Sequence, residues 1–351
     1  MIFSRMHREQ CIGLNSKEGF FIDRASLVTK SLTGDNLDKI SLPYSLLERV
    51  KVMMPVFIKR IFRLGIISGV ADSKNLVFWD RDFLYYLDLQ VRGKIKRVKF
   101  INFSPLNMCI DSEAGKAVFG DYKSSGSETV SIWEFHFSTG NLASMCVFPS
   151  HSIEHVHNII KIEDDKYLVF AGDFSYGVGI WRLQLVDGAY ILTPLSIGRQ
   201  NYRASAVAVL GRTLVYATDT TTDRNYLLRY SLNAEVVKPL YSLPASSIYG
   251  AFNSNSFVFS TNLECDLDSK NTVFKWVTKR LPAVFDTNRV HIYKFTIADG
   301  LESVENFRPT PLPYRLFQYP TFRIFVNDST VMCTANSIYG MHNRTFQYAL
   351  G

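Results

Sequence analysis

Val169-Phe170-Ala171-Gly172-Asp173 is an apolar run that closes on small residues and an acid, and the chain repeats it. Val118-Phe119-Gly120-Asp121, Val215-Tyr216-Ala217-Thr218-Asp219 and Val258-Phe259-Ser260-Thr261-Asn262 follow the same plan, and Val77-Phe78-Trp79-Asp80 follows it loosely. The closing positions 80, 121, 173, 219 and 262 recur every roughly 40–50 residues, the period of a propeller blade built from short strands. The sequence therefore predicts an all-β chain, a β-propeller with six or seven four-stranded blades.

Working outward from position 173, one blade reads almost completely. Residues 157–162 and 167–172 are strands joined by Glu163-Asp164-Asp165-Lys166. Residues 179–185 and 190–197 follow, joined across Val186-Asp187-Gly188-Ala189, and Asp-Gly between apolar runs is a strong hairpin signal. Residues 204–209, 214–218, 226–232 and 236–243 repeat the plan, with a turn at Leu210-Gly211-Arg212. Less regular blades cover about 62–101, 102–148 and 244–312, the last with an insertion at about 263–289 that includes Lys275, Trp276, Lys279, Arg280 and Pro282. A last blade is expected from 322–326, 331–335, 338–341 and 346–350. Residues 1–61 are expected to supply ring-closing strands, two of them within 19–32, and a short helix near 45–54. Leu46, Leu47, Val50, Met53 and Met54 have helical spacing until Pro55 stops them, and the methionine pair reads as core. The whole chain, 1–351, reads as a single propeller domain.

Composition agrees. Of 351 residues 47% are hydrophobic and 14% aromatic, with 26 Phe and 18 Tyr, enough for a packed core and biased toward strands. The formal charge of +7 suits an anionic partner such as nucleic acid, an acidic sugar or a membrane surface, and equally a soluble protein with a modest basic bias. The densest basic run, Arg92, Lys94, Lys96, Arg97 and Lys99, alternates with apolar residues as the exposed face of an outer strand does. It lacks the interleaved aromatics of a base-stacking platform, so nucleic-acid binding is not expected. Cys11, Cys109, Cys146, Cys265 and Cys333 are odd in number and widely spaced, with no zinc or disulfide framework, and Cys109 and Cys333 read as core. The N-terminal residues lack a leader's apolar core and no apolar run reaches ~18 residues. Neither secretion nor a membrane span is expected, and the expected location is cytoplasmic.

In a propeller, the loop that leads into each first strand and the loop between strands two and three open on one face. The repeat alignment puts Asp121, Asp173, Asp219 and Asn262 at the second-to-third connections, with Asn225 just beyond one of them. It puts His155, His157, Tyr202, Arg203 and Tyr249 where first strands begin. A pocket is expected there, rimmed by carboxylates, two imidazoles, an arginine and tyrosines. For each component a structural reading stands beside the functional one. An acid at a strand end caps turns as often as it serves chemistry. His155 and His157 share one side of a strand, so they either hold a divalent cation with Asp173 or hydrogen-bond neighbouring loops. Arg203 either clamps a ligand carboxylate or braces Asp173 and Asp219 as an ion-paired strut. The chain has no GxSxG, Walker loop, GxGxxG or HExxH.

The ordered series Phe119-Gly120-Asp121-Tyr122, His155-Val156-His157, Ala171-Gly172-Asp173, Tyr202-Arg203-Ala204 and Tyr216-Ala217-Thr218-Asp219 with Asn225 resembles bacterial sialidase-like, or glycosyl-hydrolase-like, propeller proteins associated with surface-polysaccharide genes. The resemblance covers about 62–351, without the Asp-box Ser-x-Asp-x-Gly-x-x-Trp or the arginine triad of true sialidases. It implies a saccharide ligand, an acidic one suiting the site, and processing by hydrolysis or β-elimination of a glycosidic bond. His155 or His157 would then be the base, Asp173 or Asp219 an acid, metal ligand or orienting group, and Arg203, Tyr202, Asp121, Asn225, Asn262 and Tyr249 substrate contacts. The competing reading is a non-catalytic propeller that scaffolds protein interactions.

Overall fold

The computed structural model describes residues 1–100, 104–122, 129–173, 176–210, 213–232, 236–265, 278 and 280–350. The fold is a β-propeller of seven four-stranded antiparallel blades. By contact the chain divides into two compact units. One comprises Met1–Gly65, Ala206–Leu232 and Val236–Gly351, and the other is built on Ile66–Ser205.

The Ile66–Ser205 unit holds three blades. The first contains β6 (Ser68–Ala71), β7 (Asn75–Trp79), β8 (Phe83–Asp88) and β9 (Lys96–Lys99); the second β10 (Met108–Asp111), β11 (Lys116–Gly120), β12 (Ser131–His136) and β13 (Leu142–Val147). The third contains β14 (His155–Glu163), β15 (Lys166–Gly172), β16 (Gly179–Val186) and β17 (Ala189–Ile197). The expected hairpin between β16 and β17 forms with Val186 opposite Ala189, and Asp187 and Gly188 take φ of 50° and 83°, the positive values a two-residue type I′ turn requires. The second strands β7 and β11 are buried at every residue, and after their first residues, Asn75 and Lys116, they carry no further polar side chain rather than alternating. The cores lie between blades. Val118 and Ile132 pack with Val156, Val169 and Trp181, and Val77 and Tyr86 pack with Phe119 and Phe135. Burying each such side chain contributes about 1.5–3 kcal/mol.

The repeated motif now has a physical reading. Asp80, Asp121, Asp173 and Asp219 each directly follow a second strand, and Asn262 stands two residues past one. The small residue before the acid is required where β14 crowds in, the next blade's first strand at Gly120 and the same blade's at Gly172. A Cβ at Gly120 would lie 2.4 Å from Val156, and one at Gly172 would lie 2.4 Å from Nε2 of His157.

The other unit holds four blades. β2 (Gln10–Leu14), β3 (Glu18–Asp23), β4 (Ser26–Ser31) and β5 (Asn36–Ser41) form one. β18 (Ala204–Leu210), β19 (Thr213–Thr218), β20 (Asn225–Ser231) and β21 (Val236–Leu243) form the next, and β22 (Tyr249–Phe252), β23 (Ser256–Ser260), β24 (Val290–Thr296) and β25 (Gly300–Phe307) a third. In the last, β26 (Thr321–Val326), β27 (Thr330–Asn336) and β28 (Thr345–Ala349) are completed by β1 (Ile2–His7), whose Ile2 pairs with Ala349 and His7 with Thr345. Two expectations change here. Residues 10–41 make a whole blade rather than a pair of closing strands, and the segment that completes the last blade is β1. Residues 338–341 form a turn carrying a single bridge, Pro309 to Ile338, rather than a strand. Cys333 is fully buried as expected, whereas Cys109 is only half-buried.

The expected helix is present as α1 (Leu46–Met53), with a capping box in which Ser45 Oγ accepts from Glu48 N–H and the Glu48 carboxylate accepts from Ser45 N–H. A second helix, α2 (Val56–Phe62), follows Pro55, because proline is tolerated where a helix starts. The expectation that the methionine pair is core is not met: Met53 is exposed and Met54 half-buried. A further short helix, α3 (Tyr314–Phe317), precedes β26. No helix among the described residues is long and apolar enough to cross a membrane. The insertion expected at 263–289 lies partly outside the described residues, Lys275, Trp276 and Lys279 among them, as does part of the turn after Leu210.

One consequence for stability follows from His342, whose Nδ1 accepts from the Ser337 N–H. Burial, with Arg60, Arg323 and Lys59 nearby, lowers its pKa to about 3. The unfolded chain takes up this proton near pH 6.5, before the folded chain does, so stability is full above that pH and falls as the pH drops toward 3. By pH 5 the loss is about 2 kcal/mol. Urea unfolding of wild type and His342→Asn at pH 7 and pH 5 checks this; the variant is expected to lose less on acidification, and an equal loss would count against it.

Candidate functional site

The candidate residues in the Ile66–Ser205 unit converge at the start of β14. His155 pairs with Gly172 and Val156 with Ala171, but Phe170 pairs with Asn158, so His157 is the extra residue of a β-bulge. Asn107 Nδ2 donates to the His157 carbonyl at 3.0 Å and Val156 N–H donates to the Asp121 carbonyl at 2.9 Å, which fixes the bulge. The two imidazoles stack with centroids 4.8 Å apart.

Their Nε2 atoms are 2.8 Å apart, and each also reaches Oδ1 of Asp173, at 3.2 Å from His155 and 3.1 Å from His157. Nη2 of Arg203 lies 2.8 Å from the same oxygen. Both histidines and Arg203 are buried, and Asp173 is half-buried. The Asp173 main chain is held too: its N–H donates to Oε2 of Glu154 at 2.5 Å and its carbonyl accepts from Gln200 Nε2 at 2.7 Å. Gln200 belongs to a 3₁₀ turn, Gln200–Tyr202, whose end places Arg203. Tyr122 lies with its ring centroid 4.3 Å from that of His155.

Burial alone would raise the Asp173 carboxyl, but hydrogen bonds to His155 and His157 and the Arg203 charge hold it far below the usual carboxylate range. Burial lowers the His157 pKa against the pull of Asp173, so this imidazole is neutral at physiological pH. Two imidazole nitrogens and one carboxylate oxygen thus form a triangle with edges of 2.8, 3.1 and 3.2 Å. Every placement of protons leaves one edge of this triangle without a hydrogen bond. If both nitrogens donate to Asp173, two N–H groups face each other. If one donates to the other, the acceptor's lone pair faces the carboxylate. A cation set over the triangle attracts all three atoms at once. Ligands about 2.1 Å from an octahedral metal stand about 3.0 Å apart when adjacent, and two histidines with one carboxylate make a facial set for a divalent transition metal. His155, His157 and Asp173 are the one group of this kind found among the described residues.

The remaining expected site residues divide. Arg203 forms an ion pair with Asp173. Tyr202 ends the turn before it. Asp121 is fully buried, and its carboxylate accepts from Ser131 N–H and Trp133 Nε1–H at 3.0 Å each, which ties β12 to the end of β11. Asp219, Asn225, Asn262 and Tyr249 belong to the other unit. Asp219 is buried. Asn225 bonds to Thr218 and Thr220 and shapes the turn between β19 and β20. Asn262 donates to Glu264 at 2.8 Å, and the ring of Tyr249 lies 5.3 Å from the Arg323 guanidinium. Glu154, Gln200 and Tyr122 were not among the expected site residues. Glu154 directly precedes His155, which is a signal of position only, and nothing in the repeat marks Gln200.

No family model matches the chain, and no curated protein matches it. Among solved structures it is similar to one described as "Oligogalacturonate lyase in complex with manganese". The TM-score is 0.60 at 12% sequence identity, covering 98% of this chain and 89% of that one. At this identity the likeness is one of fold.

Proposed function

We propose that the chain is a carbohydrate-active propeller that holds a divalent cation at His155, His157 and Asp173 and cleaves an acidic saccharide by β-elimination next to a uronate carboxylate. The observation that carries this reading is the triangle of two buried imidazole nitrogens and one carboxylate oxygen, of whose three short edges protons can bridge at most two. The manganese in the similar structure's description and its lyase activity support it.

A divalent cation bound there would supply positive charge to a uronate carboxylate, acidifying the proton on the adjacent carbon. The protein's part is to prepare the triangle. Arg203 orients Asp173 and keeps it ionised, Glu154 and Gln200 pin its main chain, and the bulge aims both Nε2 atoms at one point. Tyr122, partly exposed beside His155, offers an aromatic surface for a sugar ring and a phenol that can exchange a proton with it. In β-elimination that proton leaves C5 to a base, the C4–O bond breaks, and the leaving oxygen is protonated as a C4–C5 double bond forms. Hydrolysis would instead need two carboxylates flanking the bond. The acids of this cluster are otherwise engaged, Asp173 with the histidines and Arg203, Glu154 with the Asp173 N–H.

The test is incubation of the purified chain with oligogalacturonides and other oligouronides, with manganese and with chelator. The expected result is a rise in ultraviolet absorbance from the unsaturated product, lost on chelation, with fragments whose masses sum to the substrate. Fragments that have gained water would make the protein a hydrolase. Saccharide binding without cleavage would make it a binding module.

A further inference from the structure

The surface of α1 and α2 has no part in the site above. Along α1, Leu46, Val50 and Met53 recur at i, i+4 and i+7 with Leu47 beside them, so they share one side of the helix. That side faces outward. Leu46 is 81% and Leu47 65% exposed, and in α2 Phe57 is 57% and Phe62 63% exposed. The helices are held from their other side. Val52 is the buried residue of α1, and buried Arg60 of α2 donates to the Phe317 carbonyl and to Ser337 Oγ at 2.8 and 2.7 Å. Ordinary amphipathic helices turn their apolar stripe inward; α1 presents its stripe to the solvent, and α2 adds two exposed phenylalanines, Phe57 and Phe62.

Charge identifies the occupant. Residues 46–64 carry five basic residues and one acid, Glu48, whose carboxylate is occupied in the cap of α1. Arg49, Lys51 and Arg63 are exposed and rim the apolar side, and the chain as a whole is +7. A second copy docking through this face would press two positive rims together. An apolar face rimmed by Arg and Lys is complementary instead to a bilayer whose headgroups are acidic.

We propose that α1 and α2 form a peripheral docking surface that seats the protein on an anionic membrane, with Leu46, Leu47, Val50, Met53, Phe57 and Phe62 entering the headgroup boundary and Arg49, Lys51 and Arg63 pairing with acidic lipid. This surface spans nothing; it lies in the interfacial plane. It is independent of whether the His155 site is catalytic.

The test is co-sedimentation of the full chain with phosphatidylcholine vesicles, with and without about a quarter phosphatidylglycerol. Binding is expected to the anionic vesicles, with a steep loss at high salt. Each basic residue near such a surface contributes roughly fivefold in affinity, so Arg49→Gln/Lys51→Gln/Arg63→Gln is expected to weaken binding roughly a hundredfold. Leu47→Glu/Phe57→Glu is expected to weaken it at least about tenfold while leaving thermal melting unchanged, because both side chains already face solvent. Failure to sediment with anionic vesicles, or equal sedimentation of wild type and both variants, would overturn the proposal. So would a stable dimer in light scattering that Leu47→Glu/Phe57→Glu dissolves, since the face would then join two copies.

Discussion

Asp173→Asn is expected to lower the affinity for manganese by at least about a hundredfold, because it removes the charged member of the triangle while keeping its size. The change acts on Arg203 as well. That guanidinium is buried and lies 2.8 Å from the Asp173 carboxylate, so replacing the carboxylate by an amide takes away a charge-assisted contact. Losing one partner of a fully buried ion pair costs about 3–5 kcal/mol, and the partial exposure of Asp173 puts the expected loss below that range, at about 2–3 kcal/mol. Titration calorimetry with manganese and urea unfolding read the two effects separately. A variant that binds manganese as wild type does would remove Asp173 from the ligand set, whatever its stability.

Gly172→Ala is the second large effect, and it tests the packing beneath the site rather than a ligand. The new methyl would meet the His157 ring at 2.4 Å from Nε2 and 2.6 Å from Cε1. The ring is buried against His155 and cannot give way freely, so either His157 leaves the triangle or the end of β15 shifts. Overpacking of this kind costs about 1–3 kcal/mol. Cation affinity is expected to fall at least about tenfold, since the two Nε2 atoms no longer converge. Unchanged affinity with a normal melting temperature would show that the triangle does not depend on this close approach.

Much of this architecture is legible in the chain because a blade is a local object. Hairpins such as Val186-Asp187-Gly188-Ala189 announce themselves through residues that accept positive φ, and the Val-Phe-small-Asp motif marks each second strand. The convergence of His155, His157, Asp173 and Arg203 was also readable, because they lie in consecutive connections of one repeat plan. What depends on distant packing was not. The part played by β1 comes from pairing between residues more than three hundred positions apart, which no local pattern encodes. The bulge at His157 is a matter of register, and strand periodicity would have placed the residue equally well in an unbroken ladder. Asp121 and Asp173 share a motif yet differ in use: one is turned to a backbone N–H and an indole, the other to two imidazoles and a guanidinium. The methionines of α1 misled because helical spacing shows which residues share a face and not which way that face points.

The central claim is that His155, His157 and Asp173 are a cation site. The most direct measurement is X-ray diffraction from crystals of the chain equilibrated with manganese, collected to give anomalous differences. The account predicts one strong peak within coordination distance of Nε2 of His155, Nε2 of His157 and Oδ1 of Asp173, with the Arg203 guanidinium still on the carboxylate. Well-ordered histidines and Asp173 in that arrangement, with no peak between them at saturating manganese, would contradict it.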